Sequence, residues 1–274
     1  MIETIHIFDE YSQSPGDLSP EQRHKKRMNL EVLIFDILKK RYGGIFHDFW
    51  KRYNVPTDSN KSVVIVERRI HPNLAFLLYN AAYFCRGWNI TIICSDINYE
   101  YCRTICENNL KNITIYPYFK GNPSPDIAKK EYNDLMCDVD FYHSFQTEFL
   151  LFMETDSYLR RPIPEEVLHY DYVAAPYVWD RTMAGGGLSF RKRSSMIKIC
   201  DTLKQKLSDQ DIYISKGIQH LRLSMPNYEK SIYLITESVF AKESFGVHQW
   251  WTFFFPKDIP KAEEIFHEMM TLHV

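Results

Sequence analysis

The chain has 274 residues, 45% of them hydrophobic, with 33 lysines and arginines against 35 aspartates and glutamates, a formal net charge of −2. That balance excludes the global positive field by which proteins hold nucleic acid or an anionic membrane, and no apolar run approaches the roughly 18 residues that cross a bilayer. Six cysteines without a Cys-x-x-Cys pair read as reduced, buried thiols of a reducing compartment, the cytoplasm, rather than as a zinc site or a disulfide framework.

In chain order, Met1-Ile2-Glu3-Thr4-Ile5 lacks a basic start followed by a long apolar run, so no signal peptide is predicted. Residues 12–20 carry Ser, Pro, Gly and Asp in turn-forming order. Residues 21–41 read as a helix with Leu30, Val32, Leu33, Ile34, Ile37 and Leu38 on its apolar side. The basic cluster His24-Lys25-Lys26-Arg27 opens it, and such a cluster meets a phosphate or an acidic group only when it is not simply solvated. Solvation is the expectation here. Residues 1–60 are expected to form an N-terminal helical extension, with a linker over 56–60.

A β-α-β pattern starts at Lys61. The β-branched run Ser62-Val63-Val64-Ile65-Val66 has the composition of a buried parallel strand. His71-Pro72 opens a helix whose Leu74, Leu77, Leu78, Ala81, Ala82 and Cys85 recur at helical spacing, and Gly87 stops it. Residues 89–94 read as the second strand, 98–108 as a helix and 113–116 as the third strand. Right-handed crossovers between such strands imply a Rossmann-like half, although the Gly-x-Gly-x-x-Gly turn of dinucleotide binders is absent.

Helices are predicted over 126–137 and 141–146, then the apolar strand Phe149-Leu150-Leu151-Phe152-Met153, which stops on Glu154-Thr155-Asp156. Carboxylates two apart at a strand end point to one side, and the carboxyl edge of such a sheet is where ligands bind. A short helix is predicted over 164–169 and a strand over 171–176. Ala184-Gly185-Gly186-Gly187 is expected to break the chain before Leu188, and glycines there let backbone approach a ligand closely. Further helices are predicted over 194–206 and 260–270, and a strand over 232–235. Asp211 heads a half-buried segment, and His248 stands alone after Gly246.

Taken together and in this order, these motifs resemble GT-A glycosyltransferases. More closely they resemble a poorly characterised GT-A-like family found in giant viruses, algae, fungi and bacteria. The resemblance runs from about Ser62 to Thr252. It rests on Val66-Glu67-Arg68-Arg69 with His71-Pro72 and Asn80, on Gly87-Trp88, and on Glu154-Thr155-Asp156-Ser157, where the family usually has Gln-Thr-Asp-Ser. It continues with Asp171-Tyr172-Val173-Ala174-Ala175-Pro176, Ala184-Gly185-Gly186-Gly187-Leu188-Ser189-Phe190-Arg191, Gln210-Asp211-Ile212-Tyr213-Ile214-Ser215, Glu237-Ser238 and Gly246-x-His248. Two departures stand out. Gln210 replaces the family's Glu, and Ala184-Gly185 replaces its Gly-Asn.

The resemblance implies an α/β fold: a GT-A-like single domain over residues 61–274, a Rossmann-like mixed sheet flanked by helices, with the N-terminal extension before it. It implies an enzyme that moves a sugar from a nucleoside-diphosphate donor, a UDP- or GDP-sugar, to the hydroxyl of a glycan or other acceptor, with inversion. Asp156, Glu154 and His248 would hold the metal. Their mixed carboxylate and imidazole set suits Mn²⁺, with Mg²⁺ as a weaker substitute. Asp211 would be the general base. Glu67, Arg69, Asn80 and Thr155 would bind the donor, Gly186 and Gly187 would line its sugar pocket, and Trp250 would stack on the acceptor. No nucleic-acid partner and no membrane span are expected, and the location is cytoplasmic, in the host cytoplasm or the virion for a viral member. Two rival readings stay open. One is a nucleotidyltransferase, which also needs carboxylates and a metal. The other is a catalytically inactive sugar-binding protein of the same fold, to which Gln210 points.

Overall fold

The computed structural model describes residues 19–204, 209–252 and 260–274. Residues 12–18 of the turn-forming stretch expected over 12–20, and 205–206 of the helix expected over 194–206, lie outside them. The first element among the described residues is a single helix, α1 (Pro20–Trp50). Ser19 caps it reciprocally with Gln22, Ser19 Oγ accepting from the Gln22 amide and Gln22 Oε1 from the Ser19 amide. The helix runs on through Gly43 and Gly44, past the expected end near residue 41. Each helix glycine costs about 1 kcal/mol relative to alanine. Burial of Phe46 and Trp50 beyond them contributes roughly 1.5–3 kcal/mol apiece, which is enough to carry the helix on. Trp50 stacks on Tyr79, and Phe46 meets Phe76, Tyr83 and Phe84. Leu30, Ile34, Phe35 and Leu38 are buried in the same core as the sheet. The helix is N-terminal, as expected, and it is part of the main packing unit.

The sheet follows the predicted alternation. Strands β1 (Lys61–Val66), β2 (Asn89–Ser95), β3 (Ile113–Phe119) and β4 (Phe149–Met153) are parallel, with helices α2 (Leu74–Phe84), α3 (Tyr99–Ile105), α4 (Pro125–Met136) and α5 (Val139–His143) between them. β5 (Ser157–Leu159) leaves this sheet. β7 (Ala184–Lys192) joins it antiparallel to β4, and β6 (Tyr172–Pro176) pairs antiparallel with β7 at the edge, giving the order β3-β2-β1-β4-β7-β6. This is the mixed α/β sheet flanked by helices that the sequence predicts. Val63, Val64, Ile65, Leu150 and Leu151 are fully buried, which explains why β1 and β4 read as continuous apolar runs rather than alternating ones.

Two local predictions are corrected. The glycines at 185–187 sit inside β7 rather than breaking the chain before it. Of residues 232–235, expected as a strand, the first three end a helix and only Ile235 is extended. After α6 (Arg193–Thr202) and α7 (Gln210–His220), Asn227 Oδ1 accepts from the Lys230 amide and starts α8 (Tyr228–Leu234), leaving only β8 (Ile235–Thr236) extended. β8 pairs with β9 (Gly246–His248), and β9 pairs with β5, in a small second sheet. Arg160, just past β5, buries its guanidinium against Glu268 Oε1 at 2.7 Å and fixes the last helix, α9 (Ala262–Met269), to that sheet. Among the described residues there is no disulfide, and no helix is long and apolar enough to cross a membrane.

Candidate metal and donor site

The carboxyl ends of β1 and β4 lie side by side, Ile65 opposite Met153. Beyond β4 the Glu154 amide still donates to Gly187 O on β7 at 2.8 Å. The chain then turns, with the Ser157 amide and hydroxyl both donating to Glu154 O, and enters β5. β5 pairs with β9 so that Ser157 faces His248, and the Gln249 amide donates to Asp156 O at 3.0 Å. This crossing from one sheet to the other brings His248 back to the acidic turn. His248 Nε2 lies 3.2 Å from Asp156 Oδ1 and 3.8 Å from Glu154 Oε2. One ligand atom from each of the three residues falls within 4.8 Å of the others.

Glu237, one residue past β8, stands on the far side of the imidazole, its Oε1 3.3 Å from His248 Nδ1. A carboxylate there holds the ring orientation and would keep the proton on Nδ1 when Nε2 gives up its own, making Nε2 the nitrogen available to a metal. The glycines of β7 make the room. A Cβ on Gly187 would lie 2.1 Å from His248 Nε2, on Gly186 1.9 Å from Gln210 Nε2, and on Gly185 2.5 Å from Glu237 Oε2. Each missing side chain is replaced by a polar group of another element.

Burial alone would push Asp156 up, but His248 and Arg27 outweigh it and hold the carboxyl well below its usual range. Burial would likewise push His248 down, but Asp156 and Glu237 hold it well above 6.5, so the ring is an imidazolium in this arrangement. Burial raises Glu154, opposed by His248 and by Tyr132 Oη, which donates to it at 2.7 Å. Asp156 Oδ1 is sealed from solvent and accepts no aligned hydrogen bond, despite its closeness to His248 Nε2. An orphaned carboxylate oxygen between a carboxylate and an imidazole nitrogen fits a divalent cation.

A cleft of about 430 Å³ opens beside this cluster, walled by α1 on one side and by the ends of β1 and β3 on the other. From α1 it receives His24, Arg27, Met28 and Glu31, one face of a helix at spacings of three and four. Arg27 Nη2 reaches Asp156 Oδ2 at 2.8 Å. Glu31 is buried, accepts from Asn73 Nδ2 at 3.0 Å and lies 3.5 Å from His71 Nε2. Burial, with Asp156 beside it, pushes the Glu31 carboxyl from 4.5 up to about 7. The unfolded chain therefore loses this proton first, and folding stability falls as pH rises between those two values. Glu31→Gln keeps the acceptor for Asn73 and removes the charge. It is expected to raise the melting temperature at pH 8 by roughly 4–8 °C, about 2 kcal/mol, and to change it little at pH 4. A variant equally shifted at both pH values would contradict this account.

The other predicted residues separate into two groups. Glu67, Arg69 and Thr155 lie at the cleft. Glu67 is buried, accepts from Arg69 Nε and Nη2 at 2.8 and 2.7 Å, and accepts from Thr155 Oγ1 at 3.0 Å. Asn80 and Trp250 do not face it, which corrects both expectations. Asn80 is fully buried and clamps the Leu159 backbone with both ends of its amide, at 2.9 and 2.7 Å, so it bolts β5 to α2. Trp250 is 1% exposed and donates its indole N–H to Tyr158 Oη, so it presents no ring face to an acceptor. Asp211, in the first turn of α7, accepts from Tyr177 Oη. The Tyr177 ring and the Glu237 carboxylate both lie against Gly185, which links Asp211 to the His248 cluster by contiguous contacts. Tyr177 also stacks on the exposed Trp179, centroids 4.6 Å apart. Gln210 accepts from the buried Arg191 at 2.7 Å, inside the protein rather than in the cleft.

Glu31 is not among the residues that the sequence points to, while Arg27 stands there only in a basic cluster expected to be solvated and Glu237 only in a motif without a role. Glu31 carried a signal, a carboxylate inside the apolar run from Leu30 to Leu33. Glu237 carried none beyond its place next to Ser238.

Residues 122–248 match a family model described as a protein of unknown function (DUF5672). No curated protein matches the chain. Among solved structures, the chain is similar to the galactosyltransferase LgtC in complex with donor and acceptor sugar analogues, at 9% identity, 78% of this chain, 96% of that one and a TM-score of 0.47. It is similar to the glycosyltransferase GlyE of Streptococcus pneumoniae TIGR4, at 8% identity, 80% and 65% coverage and a TM-score of 0.47. It is also similar to a 4-diphosphocytidyl-2C-methyl-D-erythritol synthase of Anaerococcus prevotii, at 10% identity, 76% and 97% coverage and a TM-score of 0.39.

Proposed function

We propose that this protein is a metal-dependent glycosyltransferase that uses a nucleoside-diphosphate sugar, a UDP- or GDP-sugar, and inverts the anomeric carbon. The observation that carries the reading is the convergence of Asp156, Glu154 and His248 beside a cleft that the two carboxylates line. Asp156 Oδ1, Glu154 and His248 Nε2 would hold Mn²⁺ in preference to Mg²⁺, since one donor is an imidazole nitrogen. A divalent cation supplies Lewis-acid stabilisation to the diphosphate as its charge grows. The nucleotide would lie along the ends of β1 and β3, with Thr155 and Arg69 at its side; Gly186 and Gly187, expected to line the sugar pocket, are buried against Gln210 and His248 instead and make room for those side chains.

Asp211 would take the proton of the acceptor hydroxyl as its oxygen attacks the anomeric carbon and the bond to the diphosphate oxygen breaks. Tyr177 would orient that carboxylate through its hydroxyl hydrogen bond. The Tyr177–Trp179 stack offers the acceptor a ring face that Trp250 does not. Gln210 does not argue against this reading, because it faces Arg191 in the interior and does not line the cleft.

The test is a thermal-shift panel of nucleotide sugars with and without Mn²⁺, followed by product analysis. One donor is expected to raise the melting temperature only when Mn²⁺ is present, and turnover is expected to release a nucleoside diphosphate. Stabilisation independent of metal, or pyrophosphate as the product, would overturn the reading.

A further inference from the structure

Helix α1 lies before the segment matched by the family model, yet it forms one wall of the cleft. Its placement is rigid. Leu30, Ile34 and Phe35 anchor it in the core, and Phe35 makes edge contacts with Phe76, Tyr158 and Trp251. Arg27 is one turn before that anchor, so its guanidinium enters the cleft from a fixed element.

The charges facing the cleft make Arg27 distinct. Arg69 is held by two hydrogen bonds to Glu67, and Arg68 is paired with Glu131 at 2.6 Å. Arg27 has its ion pair with Asp156 Oδ2, the carboxylate that the metal would take. Its Nε, like that of Arg68, is sealed from solvent and has no hydrogen-bond partner, so the identity of its carboxylate partner is what sets it apart. The remaining acidic and histidine side chains lining the cleft around it are His24, Glu31, Glu67 and His71, with Glu154 and His248 across the cluster. A cation shared by Asp156 Oδ1, Glu154 and His248 would draw the carboxylate charge away from the guanidinium. The released group is a planar fork of donors suited to two neighbouring phosphate oxygens.

We infer that Arg27 is a diphosphate-binding residue of the donor site, parked on Asp156 until metal and nucleotide arrive together. The inference rests on the metal-site reading above and assigns part of the donor site to a helix outside the matched segment. It gives Arg27 two opposed effects. It competes with the metal for Asp156 when nucleotide is absent, and it adds affinity for the diphosphate when metal is present.

The experiment is calorimetry on the full chain and on Arg27→Gln and Arg27→Lys, first with Mn²⁺ alone, then with UDP and GDP at saturating Mn²⁺. Arg27→Gln is expected to bind Mn²⁺ alone several-fold more tightly, because its competitor is gone. The same variant is expected to bind the nucleotide at least about tenfold more weakly, the loss of one charge-assisted contact. Arg27→Lys is expected to lie between, keeping the charge without the fork. Circular dichroism melts confirm that the variants fold, which the partial exposure of this side chain favours. Nucleotide affinity unchanged in Arg27→Gln, with Mn²⁺ still bound, overturns this inference alone. A wild-type chain that binds no Mn²⁺ overturns it together with the metal-site reading.

Discussion

Replacement of Asp156 by alanine is expected to abolish Mn²⁺-dependent binding of a nucleoside diphosphate, with a loss beyond the roughly hundredfold that outer-shell partners reach. Three features of the carboxylate predict this. Its Oδ1 is buried, lacks an aligned hydrogen bond and points at His248 Nε2 and Glu154. Its low pKa keeps it charged across the physiological range. Its removal leaves His248 between Glu237 and Glu154 alone. The fold is expected to survive, because Arg27 is 37% exposed and can be hydrated once its partner is gone. The near-isosteric Asp156→Asn serves as the control for packing. Calorimetry decides the matter, and Mn²⁺-dependent nucleotide binding equal to wild type would remove Asp156 from the site. The pH dependence has a definite sign. Without metal His248 is an imidazolium, so a ligating Nε2 must release its proton. Mn²⁺ affinity should therefore rise with pH, by at most about tenfold per unit for each proton released, and level off once the free ring is neutral.

Asp211→Asn is expected to lower kcat by about 10²–10⁴-fold, the usual contribution of one placed general base, while donor affinity stays as in wild type. Asparagine keeps its Oδ1 for the Ile212 amide and can turn its Nδ2 to donate to Tyr177 Oη, so the first turn of α7 should remain in place. Single-turnover rates with a matched donor and acceptor measure the first effect, and calorimetry the second. A variant turning over at near wild-type rate would assign the proton to another group. Tyr177→Phe is the companion measurement. It frees one oxygen of Asp211 and tests whether the hydroxyl orients the carboxylate or merely occupies it.

The parts of this molecule that were legible in the sequence are those governed by local rules. Buried parallel strands betray themselves as β-branched runs, as at residues 62–66, and the abrupt stop of the run at 149–153 on Glu154 marked the carboxyl edge of the sheet. The rest depended on contacts distant along the chain. Gly43 and Gly44 argue for a helix end, but Phe46 and Trp50 find aromatic partners on α2. Three consecutive glycines suggest a loop, but in β7 they yield space to His248, Gln210 and Glu237. Asn80 and Trp250 have the chemistry of binding residues and spend it internally, on Leu159 and Tyr158. The basic cluster at 24–27 looked solvated because its acidic partner lies far along the sequence, and Arg27 reaches it.

The three-residue pairing of β5 with β9 has a kinetic corollary. Asp156 and His248 become neighbours only when a short ladder closes a long stretch of chain, and loop-closure entropy makes such contacts late ones. An ion held by both would thus act as a clasp on the finished molecule, slowing its unfolding far more than it hastens its folding.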